Sequence, residues 1–162
     1  MKALLLNILL INLFFVSTIK AKEPFTFPNW KTLETLNPLP YRSDNHNAWV
    51  DIYVNQKASK AYKQQSSKFP VGSVVIKSLF DDYNQTRFKK IAIMVKMPQN
   101  YDTNNSDWWY GLYDELGTKS ERTGKMFDCI DCHEVVRETD FMFSEDVMDD
   151  IKHRRYMHPN DL

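Results

Sequence analysis

The chain holds two cysteines, Cys129 and Cys132, three positions apart and followed at once by His133. Cys-x-x-Cys-His is the pattern of covalent c-type haem attachment. Two thiols at this spacing reach the two vinyl groups on one edge of a porphyrin. The next residue is then held beneath the iron, where its imidazole coordinates as proximal ligand. At usual Cys and His frequencies such a string arises by chance in roughly one chain of this size in a thousand. It also consumes every cysteine present, so it outweighs any compositional signal. The expected cofactor is one haem c, with Cys129 and Cys132 as thioether anchors and His133 as iron ligand, and the fold has to enclose it.

Two other uses of the pair weigh less. A redox-active Cys129–Cys132 disulfide would want the pair at a helix N-terminus after a strand, and Met126-Phe127-Asp128 is a poor strand. A zinc site could add His153 and His158, but 20 residues separate Cys132 from His153, longer than the usual finger. Either use would leave His133 incidental.

Lys2 precedes a run from Ala3 to Val16 interrupted only by Asn7 and Asn12. A charged start and a short apolar stretch read as an export signal, here residues 1–21 with cleavage near Ala21, and the run is too short to span a bilayer. No cysteine near that point allows lipidation. An uncleaved anchor is the alternative. Losing Lys2 and Lys20 leaves 19 basic against 21 acidic groups, a formal charge of −2 where the whole chain has zero. Such a balance offers no field for a phosphate backbone, so nucleic acid is not an expected partner. In a bacterium the destination is the periplasm, the side on which c-type haem is attached.

Residues 22–47 carry Pro24, Pro28, Pro38 and Pro40 and read as an extended arm before a haem domain over 48–162. Residues 49–55 predict a strand, 56–66 a short helix, and 73–78 a second strand. Over 89–97, Ile91, Ile93, Val95 and Met97 face one way and Ala92, Met94 and Lys96 the other. A fourth strand over 107–114 carries Trp108, Trp109, Tyr110 and Tyr113. The expected fold is α+β, a mostly antiparallel sheet with a few short helices. Trp108, Trp109, Tyr110, Tyr113, Phe141 and Phe143 are candidates to wall the haem pocket, with an ordinary sheet core as the alternative for each. The segment from 144 to 155 reads as a polar helix or tail.

A β-rich chain with one Cys-x-x-Cys-His near its end, followed by Thr139-Asp140-Phe141-Met142-Phe143, resembles the cytochrome P460 family, which includes the gas-binding cytochromes c-prime-beta. The segments Phe69-Pro70-Val71-Gly72-Ser73-Val74-Val75-Ile76-Lys77 and Asp107-Trp108-Trp109-Tyr110-Gly111 make the likeness specific. The resemblance implies an antiparallel sheet carrying a shielded, five-coordinate haem, usually in a homodimer. In cytochrome P460 proper a lysine on that strand is bonded to the porphyrin, and the matching position is Lys77. Such enzymes oxidise hydroxylamine, with nitric oxide and nitrous oxide as relevant products. The c-prime-beta relatives lack the third bond and bind nitric oxide or carbon monoxide.

On its own residues, Lys77 is a candidate nucleophile if burial neutralises its amine, and otherwise a strand-end lysine reaching water. Function turns on the sixth iron position: open, it admits small nitrogen-oxide ligands; filled, the protein is a plain electron-transfer cytochrome c with a periplasmic redox partner. Side chains able to fill it are His46, His153, His158 and six methionines from Met94 to Met157. Hydroxylamine-oxidising members also use a distal carboxylate, for which Asp102, Asp107, Asp114 and Glu115 stand nearest the aromatic strand.

Overall fold

A computed structural model describes residues 25–154. The expected export signal over 1–21, its cleavage point, Met157 and His158 lie outside the described residues. Among the described residues seven strands form one sheet: β1 (Glu34–Thr35), β2 (Tyr41–Ser43), β3 (Ala48–Val54), β4 (Val74–Phe80), β5 (Phe88–Lys96), β6 (Trp108–Tyr113) and β7 (Ser120–Gly124). Every pairing is antiparallel; β1 and β2 share one side of β3, and β3 to β7 follow in chain order. The same described residues form three α-helices: α1 (Gln56–Lys63), between β3 and β4, and α2 (Phe127–Glu134) and α3 (Ser144–Arg154), after β7. The fold is α+β with a mostly antiparallel sheet, as the alternating segments predict.

Residues 25–47, read from sequence as an arm, carry a turn of 3-10 helix at Trp30–Thr32 and the strands β1 and β2. Asn37 ties them to β3: its side chain accepts from Ile52 N and donates to Val50 O. Helix α1 begins where Asn55 accepts from Ala58 N, and the same Oδ1 accepts from Val74 N, so one side chain caps the helix and fastens the next strand.

Strict alternation gives the sheet two buried faces. One face presents Val50, Ile52, Val54, Val75, Leu79, Met94, Trp108 and Tyr110, covered by Ala58, Ala61 and Tyr62 of α1, by Phe141 and Met142, and by Val147 and Ile151 of α3. The other presents Ile76, Ile91, Ile93, Val95, Trp109 and Tyr113, covered by Phe25, Phe27, Trp30 and Leu33. The predicted alternation in β5 therefore holds, Ile91, Ile93 and Val95 on one side and Met94 on the other. Trp109 and Tyr113 correct the expected pocket wall: odd and even positions of β6 point to opposite faces, so these two rings pack with the N-terminal segment. Register slips between Leu79 and Phe80 and between Leu112 and Tyr113 bend the strands beside the first face.

Candidate haem site

On the first face of the sheet, one cross-strand row runs Ile52, Lys77, Ala92, Leu112, Arg122 through β3 to β7. Lys77 is the middle residue of β4, so the strand-end alternative does not hold. Facing the row is α2. In a helix, positions three and four apart share a face, so the spacing of Cys129, Cys132 and His133 turns both thiols and the imidazole toward the same side. Between sheet and helix lies a cavity of about 290 Å³, lined by Lys77, Ala92, Met94, Tyr110, Cys129, Cys132, His133 and Phe143 among others. A second cavity of about 420 Å³ adjoins it and shares His46, Lys77, Cys132, His133 and Phe143. All four site residues expected from sequence are thus brought to one place, and both openings fall near the lower end of the sizes that hold cofactors.

His133 is buried, its ring between Tyr110 (centroids 5.9 Å apart) and Phe143 (5.3 Å). Its Nδ1 lies 2.7 Å from the carbonyl oxygen of Phe141. A carbonyl only accepts, so Nδ1 carries the proton and Nε2 keeps its lone pair, the tautomer a metal ligand needs. Burial, followed by the nearby Lys77 charge, pushes the imidazole down to about 4, so it is neutral across the ordinary pH range.

Lys77 Nζ stands 3.4 Å from His46 Nε2. The lysine keeps surface only as a half-buried side chain lining the cavities, and burial brings its ammonium down from 10.5 to about 8. His46, on the turn between β2 and β3, is pushed down to about 3 by burial and then by the Lys77 charge.

Cys129 and Cys132 are free thiols. Cys129 sits in the first turn of a helix that follows a strand and Cys132 in its second half, and burial and then the Asp128 carboxylate push the Cys129 thiol up to about 11. A redox Cys-x-x-Cys needs the opposite shift. For zinc, His153 is exposed on α3, and no group of three metal-binding side chains occurs among the described residues.

The chemistry of these donors fits a c-type haem: two free thiols and a neutral imidazole on one helix face, aimed across a cavity whose far wall is Val75, Leu79, Ala92 and Met94. Tyr110 adds a buried hydroxyl without a protein partner on the same wall.

Of the side chains able to fill a sixth iron position, His46, Met94 and Met142 line the cavity. Met142 already takes a contact from Tyr62 Oη at 3.5 Å, and Met97 packs on the opposite sheet face. None of the four acids expected near the site reaches it. Asp107 accepts from Asp102 N, Asp102 from Asn105, and Asp114 from Thr118 and Lys119 in its turn, while Glu115 pairs with Lys31. Each serves a loop, since the β6 ends lie beyond the cavity.

Sequence reasoning did not find the pair Lys96 and Asp140, buried together with Nζ 2.7 and 2.6 Å from the two carboxylate oxygens. The signal was present: Lys96 falls on the Met94 face of β5, and a cation on a buried stripe calls for an anion.

The family model described as Cytochrome P460 matches residues 24–144, which ends at the first residue of α3. No curated protein matches at a significant level.

Proposed function

Because the chain belongs to the cytochrome P460 family and so is a haem protein, we propose that it carries one haem c, bonded through Cys129 and Cys132 with His133 as proximal ligand, and oxidises hydroxylamine or nitric oxide there. One observation carries the reading: the Lys77 amine opens into the cavity that holds both thiols and the imidazole. When bound, haem would supply an iron that exchanges electrons and takes a small ligand. His133 holds its proton on Nδ1, so Nε2 is free to coordinate. Lys77, half-neutral near pH 8, would offer its amine to the group from the same cavity. The apolar wall of Val75, Leu79 and Ala92 would limit water in the cavity once the group is bound.

A second reading is a gas-binding protein without turnover, like the c-prime-beta relatives. What favours it is that the four candidate acids lie on loops outside the cavity, while the one carboxylate that lines it, Asp128, is paired with Arg122. The proposal further includes export with cleavage near Ala21, a periplasmic redox partner and a homodimer. The family match begins at residue 24, three positions past that cleavage point, which agrees with the first of these.

The test uses protein made with a c-haem maturation system. Nitric oxide is expected to shift the absorption spectrum, as an open sixth site requires. An unchanged spectrum means that a side chain such as His46 fills the site and the protein is an electron carrier. Lys77→Ala is expected to move the reduced Soret band, lower the intact mass by two hydrogens less than the substitution alone would, and abolish hydroxylamine oxidation. An unmoved band with gas binding intact selects the second reading.

A further inference from the structure

Asp140 and Phe141 both adopt left-handed backbone, with φ of 60° and 63°. Neither is glycine, and for a phenylalanine this region is strained unless its surroundings impose it. The surroundings do. Both Asp140 carboxylate oxygens accept from Lys96 Nζ, Oδ2 also accepts from Phe69 N at 2.8 Å, and the Asp140 carbonyl accepts from Trp108 Nε1 at 2.7 Å. Lys96 in turn lies 4.9 Å above the Trp108 ring. Three separate segments thus clamp one residue, and the side chains of the ion pair are only 10% and 2% exposed. An ion pair so deeply buried is a poor source of stability, because desolvation offsets most of its attraction. Its use is to be sought in the backbone it holds.

One residue beyond Asp140, the carbonyl of Phe141 accepts from His133 Nδ1 at 2.7 Å. We propose that Lys96 and Asp140 are a positioning pair for the iron ligand: by pinning the left-handed turn they aim the Phe141 carbonyl at His133 and so set the orientation and donor strength of its Nε2. The inference rests on the reading of His133 as proximal ligand. Partners that orient a ligand imidazole and draw on its second N–H raise its basicity, and their loss typically changes metal-site properties about 10- to 100-fold. If the clamp is released, the turn relaxes toward negative φ and the carbonyl leaves Nδ1. The imidazole then donates less to iron, and the ferrous state gains relative to the ferric.

The experiment measures the ferrous iron–histidine stretching band by resonance Raman and the midpoint potential, both on haem-loaded protein. In the double variant Lys96→Met/Asp140→Asn both charges leave together, so no lone buried charge remains, and the amide oxygen of the introduced side chain can still accept from Phe69 N. The band is expected to move to lower frequency and the redox equilibrium to shift about tenfold toward the ferrous form, about 59 mV upward. Trp108→Phe, which removes the donor to the Asp140 carbonyl and shrinks the ring beneath Lys96 while leaving the ion pair in place, is expected to shift both in the same direction by less, and decides the matter if the double variant does not fold. A folded, haem-loaded variant with both readouts unmoved overturns the inference while leaving His133 as ligand. A wild-type protein without any iron–histidine band fails one step earlier, at the ligand reading itself, and takes the inference with it.

Discussion

An ammonium whose cross-strand neighbours are Ile52 and Ala92 loses most of its hydration, and Lys77 meets that cost by giving up its proton more easily. Its value is about 8 in the folded chain against 10.5 when unfolded, with burial as the leading cause. Between those two pH values the unfolded chain binds the extra proton, so stability of the haem-free protein rises with pH across that window. Below pH 8 the full cost is present; above 10.5 it is gone. The gap, at about 1.4 kcal/mol per pH unit, amounts to about 3 kcal/mol. Lys77→Met in haem-free protein is therefore expected to raise the unfolding free energy by up to about 3 kcal/mol at pH 7, and the gain should vanish above pH 10.5. Urea titrations of both proteins from pH 6 to 11 measure it, and a gain independent of pH would refute the burial argument. At this scale the sequence showed the donors Cys129, Cys132 and His133 outright, because their spacing is itself the chemistry. It left Lys77 open, since a strand lysine reads the same at a strand end and at a strand centre. The Phe141 carbonyl could not be read at all, because backbone groups carry no sequence signature.

Elements were legible in proportion to how much of their burial is apolar and periodic. β5 and β6 alternate and were found; α1 was found from its helix formers. β7 was missed because Ser120–Gly124 has no apolar residue and pairs with β6 through backbone alone. α2 was missed because its inner face consists of two thiols and an imidazole in place of an apolar stripe. Within β6, Gly111 shows how tightly one element can be fitted. A Cβ there would lie 2.8 Å from both the Trp109 and Tyr113 rings. Those rings have no room to retreat, being packed edge-on against Phe25 at 4.7 Å and at a tilt against Phe27 at 4.6 Å. Overpacking of this kind costs about 1–3 kcal/mol, against a gain of about 0.5–1 kcal/mol from removing a flexible glycine. Gly111→Ala is expected to lower the urea midpoint with no change in slope, and an unchanged or higher midpoint would mean the rings can shift.

At the scale of the whole molecule, one sheet separates two hydrophobic clusters with different duties. The cluster under α1, α2 and α3 borders the haem cavity; the one under the N-terminal segment holds the sheet from behind. That residues 25–33 would supply a lid for the second face was hidden by the prolines and polar residues among them. Trp30 is the keystone of that lid. It is 5% exposed, meets the Tyr53 ring edge-on at 4.8 Å, and donates from Nε1 to the Glu115 carbonyl at 3.0 Å across 85 residues of sequence. Emptying such a position typically costs about 3–5 kcal/mol. Yet no side chain of the lid touches the cavity, and the strands between are held by their own ladders. Trp30→Ala is therefore expected to lose about 3–5 kcal/mol of unfolding free energy while its Soret band, ligand shifts and midpoint potential stay at the wild-type values. Lys96→Met/Asp140→Asn, on the other face, is expected to show the reverse order of effects. Should Trp30→Ala move the spectrum as far as the site variants do, the two faces are mechanically one, and the sheet transmits packing from its back to the iron.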